Sequence, residues 1–331
     1  MAGIGFELKK LFSRKGLIAT VRAYSYATMV CAGPMLLGFI LLLCAMFMAD
    51  FAGAGRHSRE LLVTMLTHAL LASLVVTSLF SMLTTRFCAD MIYEKKYGSI
   101  MSSFYGSLWM MLLLGGLGYG VFLCFSGVAL LYKVLSFVFF MVLIVVWTEI
   151  NYLTMLKNYR SIIIAFAVSV ASALLLGALF IWAFRMDAVT ALMLSITIGY
   201  SIMLIWYFIL IYRYFPESFG TSTRFLQWFD TTPQLGFTGF FVTLGLFGHL
   251  VIMWWFSRLK VQVEGLFYGA PAYDVPAIFA FFSILITTVN FTTSVETRFY
   301  PRYKEYFSLF NDGGSIENIQ EAESTMLHVL S

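Results

Sequence analysis

The sequence predicts an all-α, polytopic transmembrane helix bundle. Eight apolar runs of about twenty residues or more alternate with short polar loops along 331 residues, and a helix of that length crosses the roughly 30 Å hydrocarbon core of a bilayer. Apolar residues make up 60% of the chain and charged residues 11%, against ~25% charged in soluble domains. Eight such runs leave no room for a soluble catalytic domain. Aromatic residues reach 18%, with 34 Phe, which suits lipid-facing and interfacial surface.

Residues 1–23 read as a cytoplasmic amphipathic helix. Ile4, Leu8, Leu11 and Phe12 share one face, and Lys9, Lys10, Arg14 and Lys15 crowd the rest. Such a helix lies in the interface against anionic headgroups; the same charges also serve as an orientation signal. The first span, Tyr24–Ala49, carries Tyr24, Thr28 and Cys31 on one face and Gly33-Pro34 within it. Proline there removes a backbone hydrogen bond, so Gly33 and Pro34 are hinge candidates, with a static kink as the alternative. Leu61–Leu83 is the second span and contains His68. The third, Met101–Ser126, contains Gly115-Gly116-Leu117-Gly118-Tyr119-Gly120. That string superficially suggests a nucleotide loop, but it lies inside a span and follows no strand. Gly127 is the only clear turn residue before the fourth span, Val128–Leu153, which holds Glu149 and Asn151.

Ile162–Phe184 and Ala188–Tyr212 complete a six-helix lobe over 24–212. A polar inter-lobe loop, 213–234, follows, with Pro216, Gly220 and Pro233 as breakers and Phe225, Trp228 and Phe229 between them. The seventh span, Leu235–Ser257, has Gly236, Gly239, Gly245 and Gly248 at helix-packing positions, together with His249. The eighth is Pro276–Thr297. These two spans, 235–297, read as the start of a second lobe that would repeat the first in parallel orientation, either cut short in this sequence or reduced in this member. Residues 298–331 form a cytoplasmic tail or connector. Asn311-Asp312-Gly313-Gly314 is a turn, and Ile316, Ile319, Met326 and Leu330 suggest an amphipathic helix.

Orientation follows from the positive-inside rule. One side collects Lys9, Lys10, Arg14, Lys15, Arg22, Arg86, Lys95, Lys96, Lys157, Arg160, Arg213, Arg224, Arg298, Arg302 and Lys304; the other has Arg56, Arg59, Lys133, Arg185, Arg258 and Lys260. Both termini are thereby placed in the cytoplasm. The first apolar run is too long and begins too late for a cleavable signal peptide. Cys31, Cys44, Cys88 and Cys124 lie in or beside spans without paired spacing and read as small buried hydrophobes, with no disulfide framework and no metal site.

Polar groups inside a span face a bundle interior or a water-filled path. Ser283, Thr287, Asn290 and Ser294 recur on one helical face, and Thr288, Thr292 and Glu296 form a second stripe. They read either as interhelical hydrogen bonding or as the wall of a hydrophilic conduit, and two adjacent stripes favour the conduit. Tyr24, Thr28, Glu149, Asn151 and Glu296 join them as substrate-path candidates. Glu149 and Glu296, close in sequence to Lys157, Arg160 and Arg298, read either as surface ion pairs or as contacts for a cationic or amino-sugar group. His68 and His249 read as satisfied buried histidines or as proton relays. Lys9, Lys10, Arg14, Lys15, Arg224 and Trp228 are partner-docking candidates. G-x-x-x-x-G-K-[ST] and H-E-x-x-H do not occur, and no loop offers paired carboxylates large enough to hold a sugar nucleotide. No catalytic, cofactor or metal site is expected.

The opening Met1-Ala2-Gly3-Ile4-Gly5-Phe6-Glu7-Leu8-Lys9-Lys10-Leu11 and the later Thr293-Ser294-Val295-Glu296-Thr297-Arg298-Phe299-Tyr300 resemble the PelG family. Those are inner-membrane transporters of the bacterial Pel exopolysaccharide system, grouped in the multidrug/oligosaccharidyl-lipid/polysaccharide (MOP) exporter superfamily. The resemblance implies a two-lobe fold, of which this chain carries the first lobe and the start of the second. It implies a polymer of N-acetylhexosamines, partly deacetylated after export, for the biofilm matrix. It also implies a complex with the cytoplasmic glycosyltransferase PelF and the membrane proteins PelD and PelE. The expectation is a polysaccharide transporter working beside its synthase. Two alternatives stay open: an ion-coupled exporter or flippase of small or lipid-linked substrates, and a non-conducting membrane scaffold for the synthase.

Overall fold

A computed structural model describes residues 16–155, 159–311 and 313–329. They are almost wholly helical, as an apolar solvent demands: a bilayer offers backbone N–H and C=O groups no water, and a helix satisfies them within one segment. In chain order the elements are α1 (Leu17–Phe51), α2 (Arg56–Tyr93), α3 (Gly98–Phe125), α4 (Leu130–Met155), α5 (Tyr159–Ala178), α6 (Ala188–Tyr214), the short α7 (Gln227–Thr231), α8 (Pro233–Phe256), the strands β1 (Val261–Glu264) and β2 (Phe267–Gly269), α9 (Pro271–Ser294), α10 (Tyr300–Asn311) and α11 (Ile316–His328).

Seven helices among the described residues are long and apolar enough to cross a membrane, and α1 adds a shorter apolar stretch, Leu36–Phe51. The chain is an all-α polytopic bundle. Helix α1 runs unbroken from Leu17 through Gly33 and Pro34 to Phe51, so residues 17–23 belong to it. Nothing between Gly16, at φ +124°, and Phe51 stops the helix. The apolar and basic faces expected over the first fifteen residues lie outside the described residues.

Two compact units make up the chain, one of residues 1–34 with 278–331, the other of residues 35–277. In the larger unit α4 is central, packing on α2, α3 and α6, while α5 lies along α6 and α8 lies along α2. The core is a continuous set of buried side chains that includes Phe87, Phe104, Phe139, Phe140, Tyr152, Phe166 and Tyr207. A π-helical turn, Leu179–Ala183, finishes α5, and Asp187 caps α6 by accepting from the backbone N–H groups of Val189 and Thr190. In the smaller unit, Val295–Phe299 is a π-helical turn joining α9 to α10. Helix α11, N-capped by Ser315, packs against α10, and Gly313, at φ +73°, makes the turn between them.

The break between the third and fourth spans falls where Gly127 placed it. Helix α3 ends at Phe125, α4 starts at Leu130, and Gly127 takes φ +77°. A feature with no counterpart in the hydropathy reading closes over this corner. Strands β1 and β2 form an antiparallel hairpin, with Val261 opposite Gly269 and Gln262 opposite Tyr268. The hairpin's turn residue Gly265, at φ +57°, lies on the α3–α4 corner, and Leu266 N–H donates to the Ser126 carbonyl at 2.8 Å. A Cβ on Gly265 would overlap that carbonyl.

Gly265→Ala therefore meets both a disfavoured backbone conformation and a backbone clash. It is expected to destabilise the detergent-solubilised protein by roughly 1–3 kcal/mol, the range for such backbone strain. Gly118→Ala, at a helical position where a Cβ meets nothing, should melt close to the unsubstituted protein. Exposure of the buried Cys88 thiol to a reactive dye on heating reads both.

Candidate functional site

The loop between α6 and α8 folds back onto the bundle. Phe219 N–H donates to the Gly98 carbonyl at 3.0 Å, and Ser102 Oγ donates to the Gly220 carbonyl at 3.0 Å. Gly106 passes so close to the backbone of Ser222 that a Cβ there would overlap it. Phe225 is fully buried, with its ring edge-to-face against Phe80. Trp228 stands edge-to-face on Phe87 at 5.0 Å and donates its Nε1–H to Asp90 Oδ2 at 2.9 Å. Arg86 binds the same carboxylate at 3.2 Å. Trp228 is thus an anchor that ties the loop to α2, and Arg224, half-buried, lies four residues before it.

The centre of the larger unit carries a polar cluster that no sequence motif announces. Tyr152 Oη, on α4, lies 3.1 Å from both Ser103 Oγ and Ser107 Oγ on α3, and Cys88 Sγ is 3.9 Å from Ser103 Oγ. Thr148 Oγ1 donates to the Ile144 carbonyl at 2.7 Å and reaches Met111 Sδ at 3.2 Å. Tyr207 Oη, on α6, donates to the Ile162 carbonyl at 2.9 Å. Glu149, next to Thr148 on α4, lies in electrostatic range of Tyr207. Its side chain is 0% exposed, and neither carboxyl oxygen has a hydrogen-bond partner. The surface ion pair open to Glu149 from its sequence position is not what the structure holds: Glu149 is enclosed, Arg160 is exposed, and Lys157 lies outside the described residues. The neighbouring Asn151 is half-buried, and its carbonyl accepts from Thr154 Oγ1 at 2.8 Å.

A second cluster surrounds His68. Its ring stacks on Trp254 at 4.6 Å and meets Phe267 edge-on at 5.2 Å. Nδ1 lies 2.8 Å from the Thr64 carbonyl, while Nε2 has no partner. Trp254 Nε1–H in turn donates to Asp274 Oδ1 at 2.9 Å, and the other oxygen of Asp274 accepts from Ala270 N–H at 2.9 Å. His249 lies 3.2 Å from Tyr273 Oη. The aromatic Trp254-Trp255 pair and the alternating Val-Gln-Val-Glu ahead of Gly265 were the legible hints of this end of the molecule. Of the cysteines, Cys44, Cys88 and Cys124 are free thiols.

In the smaller unit, Ser283, Thr287, Asn290 and Ser294 are all exposed along α9, next to exposed Phe279, Ile284, Ile286 and Phe291. Ser283 and Thr288 turn their hydroxyls back to the carbonyls of Ala280 and Ile284, at 2.8 and 3.0 Å. Hydroxyls can satisfy themselves on their own helix in this way. The Asn290 amide, with two donors and an acceptor, is exposed on the same face. Thr293 is buried, with Oγ1 unpartnered. On α1, Tyr24 is exposed, Thr28 half-buried and Gly33 buried within a continuous helix. The side chains of Pro34 and Glu296 lie outside the described residues, as do Lys9, Lys10, Arg14 and Lys15. Nothing groups three or more metal-ligating side chains among the described residues.

Trp228→Ala is expected to release the 213–234 loop, so that trypsin cuts at Arg224 faster than in the unsubstituted protein. Trp228→Phe keeps the edge contact with Phe87 and loses only the bond to Asp90. Bonds to charged groups contribute about 1.5–3 kcal/mol, and Asp90 keeps Arg86, so cleavage of this variant should fall between the other two. Limited proteolysis of membrane vesicles reads the order.

The PelG family model, described as "Putative exopolysaccharide Exporter (EPS-E)", matches residues 1–331, the whole chain. The chain belongs to this family, and it is a multi-pass membrane protein of an exopolysaccharide exporter family. No curated protein and no solved structure matches it.

Proposed function

We propose that this protein moves a Pel-type, N-acetylhexosamine-based polymer across the bacterial inner membrane as a cytoplasmic glycosyltransferase makes it, with both termini on the cytoplasmic side. The observation that carries this reading is the family match over residues 1–331, on a chain whose described residues hold seven helices able to span a bilayer. A nascent polysaccharide needs a hydrated path with hydroxyl and amide groups at its wall. The exposed Ser283, Thr287, Asn290 and Ser294 stripe on α9 supplies groups of that chemistry, and Tyr24 and Thr28 on α1 are the further candidates. Gly33 and Pro34 are the places where α1 can bend, because proline removes one backbone hydrogen bond from the helix.

The glycosyltransferase PelF and the membrane proteins PelD and PelE are the proposed partners. The basic residues Lys9, Lys10, Arg14 and Lys15, with the 213–234 loop, form the proposed docking face. Within that loop Trp228 is the support, tied to Asp90. Arg224 and the exposed Gln227 and Asp230 beside it are the groups placed to meet a partner. Matrix production in a biofilm follows as the cellular role.

Ser283→Leu, Thr287→Leu and Asn290→Leu, combined in one chain in a polymer-producing cell, test the conduit. Export should fall to background while the protein stays in the membrane and co-purifies with its glycosyltransferase. Undiminished polymer secretion from that variant would return the stripe to helix packing and favour a non-conducting scaffold.

A further inference from the structure

Every other acidic side chain that the structure describes is either in contact with water or answered by a neighbour. Asp50 pairs with Arg59, and Asp90 with Arg86 and Trp228. Asp274 accepts from Trp254 and from the Ala270 backbone, and Asp187 caps α6. Glu149 alone among the described acids is buried, and both of its oxygens are unpartnered.

A structural role would show in a partner, and none is present. No lysine or arginine side chain among the described residues is buried, and the one buried histidine, His68, belongs to the aromatic cluster beside Trp254. The hydroxyls closest along the chain or across the helices are committed elsewhere: Thr148 to Ile144, Tyr152 to Ser103 and Ser107, and Tyr207 to Ile162. The buried titratable side chains of α4 and of the helices packed against it are, besides Glu149, His68 and Cys88 on α2, Tyr119 on α3, Tyr152 on α4, and Tyr200 and Tyr207 on α6; of these only His68 can carry a positive charge, and it is held in the aromatic cluster. Tyr207 is in electrostatic range of the carboxyl. A carboxyl enclosed by apolar surface with no counter-ion is among the most unfavourable placements a side chain can take, and intramembrane acids line proton and ion paths. Glu149 also lies close to the end of α4, six residues before Met155, the last described residue of that helix. At the helical rise this is about 9 Å of axis.

We propose that Glu149 is a cation-binding carboxyl, which takes up a monovalent cation, H⁺ or Na⁺, from the nearby end of the bundle and releases it during the working cycle. The cation supplies the charge that no side chain supplies. Tyr207, in electrostatic range of the carboxyl, and Thr148, its neighbour along α4, supply neutral oxygens on either side. Uptake is a simple association: the carboxylate gains the cation and no other bond changes. Coupling of that uptake to polymer movement rests on the export reading above, whereas binding itself does not.

The test separates the two. The full chain is reconstituted in lipid vesicles, and difference infrared spectra are recorded on switching pH at constant salt, and on exchanging K⁺ for Na⁺ at constant pH. A proton site gives a carboxylic C=O band that responds to pH, and a sodium site gives carboxylate bands that shift only with Na⁺. In either case the signal is missing from Glu149→Gln. Spectra that are the same with and without Glu149→Gln under both switches would overturn the proposal. In producing cells, Glu149→Gln should lower export by about tenfold or more, in the range of an ordinary ligand coupling, at unchanged membrane abundance. Glu149→Asp should retain part of it. A Glu149-dependent spectrum together with unaffected export would keep the cation site and discard its coupling to the polymer.

Discussion

Polar groups inside a bilayer must be answered from within the protein, and the architecture of this chain follows from that constraint. Helices answer their own backbones, so the described residues fold almost entirely into helices, and the exceptions are informative. The β1–β2 hairpin pairs its strands with each other, and its turn bonds to the Ser126 carbonyl left free at the α3–α4 corner. The 213–234 loop likewise gives its Phe219 N–H to Gly98 and takes a bond from Ser102. Irregular backbone is found where a neighbouring helix end can pair with it. The side chains obey the same rule: serine and threonine hydroxyls along α2 return to carbonyls three or four residues earlier, and Trp147 reaches across to Ser73.

Much of this was legible in the amino-acid sequence, because the signals are local. Apolar length gives a span, and Gly127, a lone turn residue inside a run far too long for one helix, gives the corner between the third and fourth. The seventh span was legible from its flanking Pro233 and from Ser257. Even the turn at Gly313-Gly314 could be read, since only glycine takes a positive φ freely. The extension of α1 back to Leu17 was less legible. Hydropathy marks where a helix becomes apolar, whereas the helix itself continues until a residue such as Gly16 stops it.

What the sequence withheld was pairing over distance. Trp228 and Asp90 are 138 residues apart, and nothing near either names the other. As a result, a tryptophan in a polar loop read as a surface for partners, while in the fold it is the fastening of that loop. Glu149 shows the opposite failure. Basic residues close by in sequence left Glu149 open between a surface ion pair and a contact for a cationic or amino-sugar group. Thr148 and Tyr152 turn toward α3, while Glu149, on the same turns of α4, is buried within reach of Tyr207 on α6. Burial on a bundle's inner face depends on which helices pack there, and that is a property of tertiary contacts.

The two classes of polar residue in this protein therefore differ in kind. On α9, Asn290 and its neighbours are exposed in the described residues, so their requirement can be met by water, polymer or another helix, and their polarity alone does not choose among these. Glu149 is already enclosed by the protein, and its requirement is narrower: no donor bonds its carboxyl and no counter-ion faces it, and a small cation answers the charge. Retaining a carboxyl at such a position makes the bundle less stable than glutamine or leucine there would, since an unpaired buried charge opposes folding. That penalty has an explanation if the charge is used, as the proposed cation site would use it. If Glu149 binds a cation and releases it in the working cycle as proposed, an ion gradient gains a place to act on the bundle.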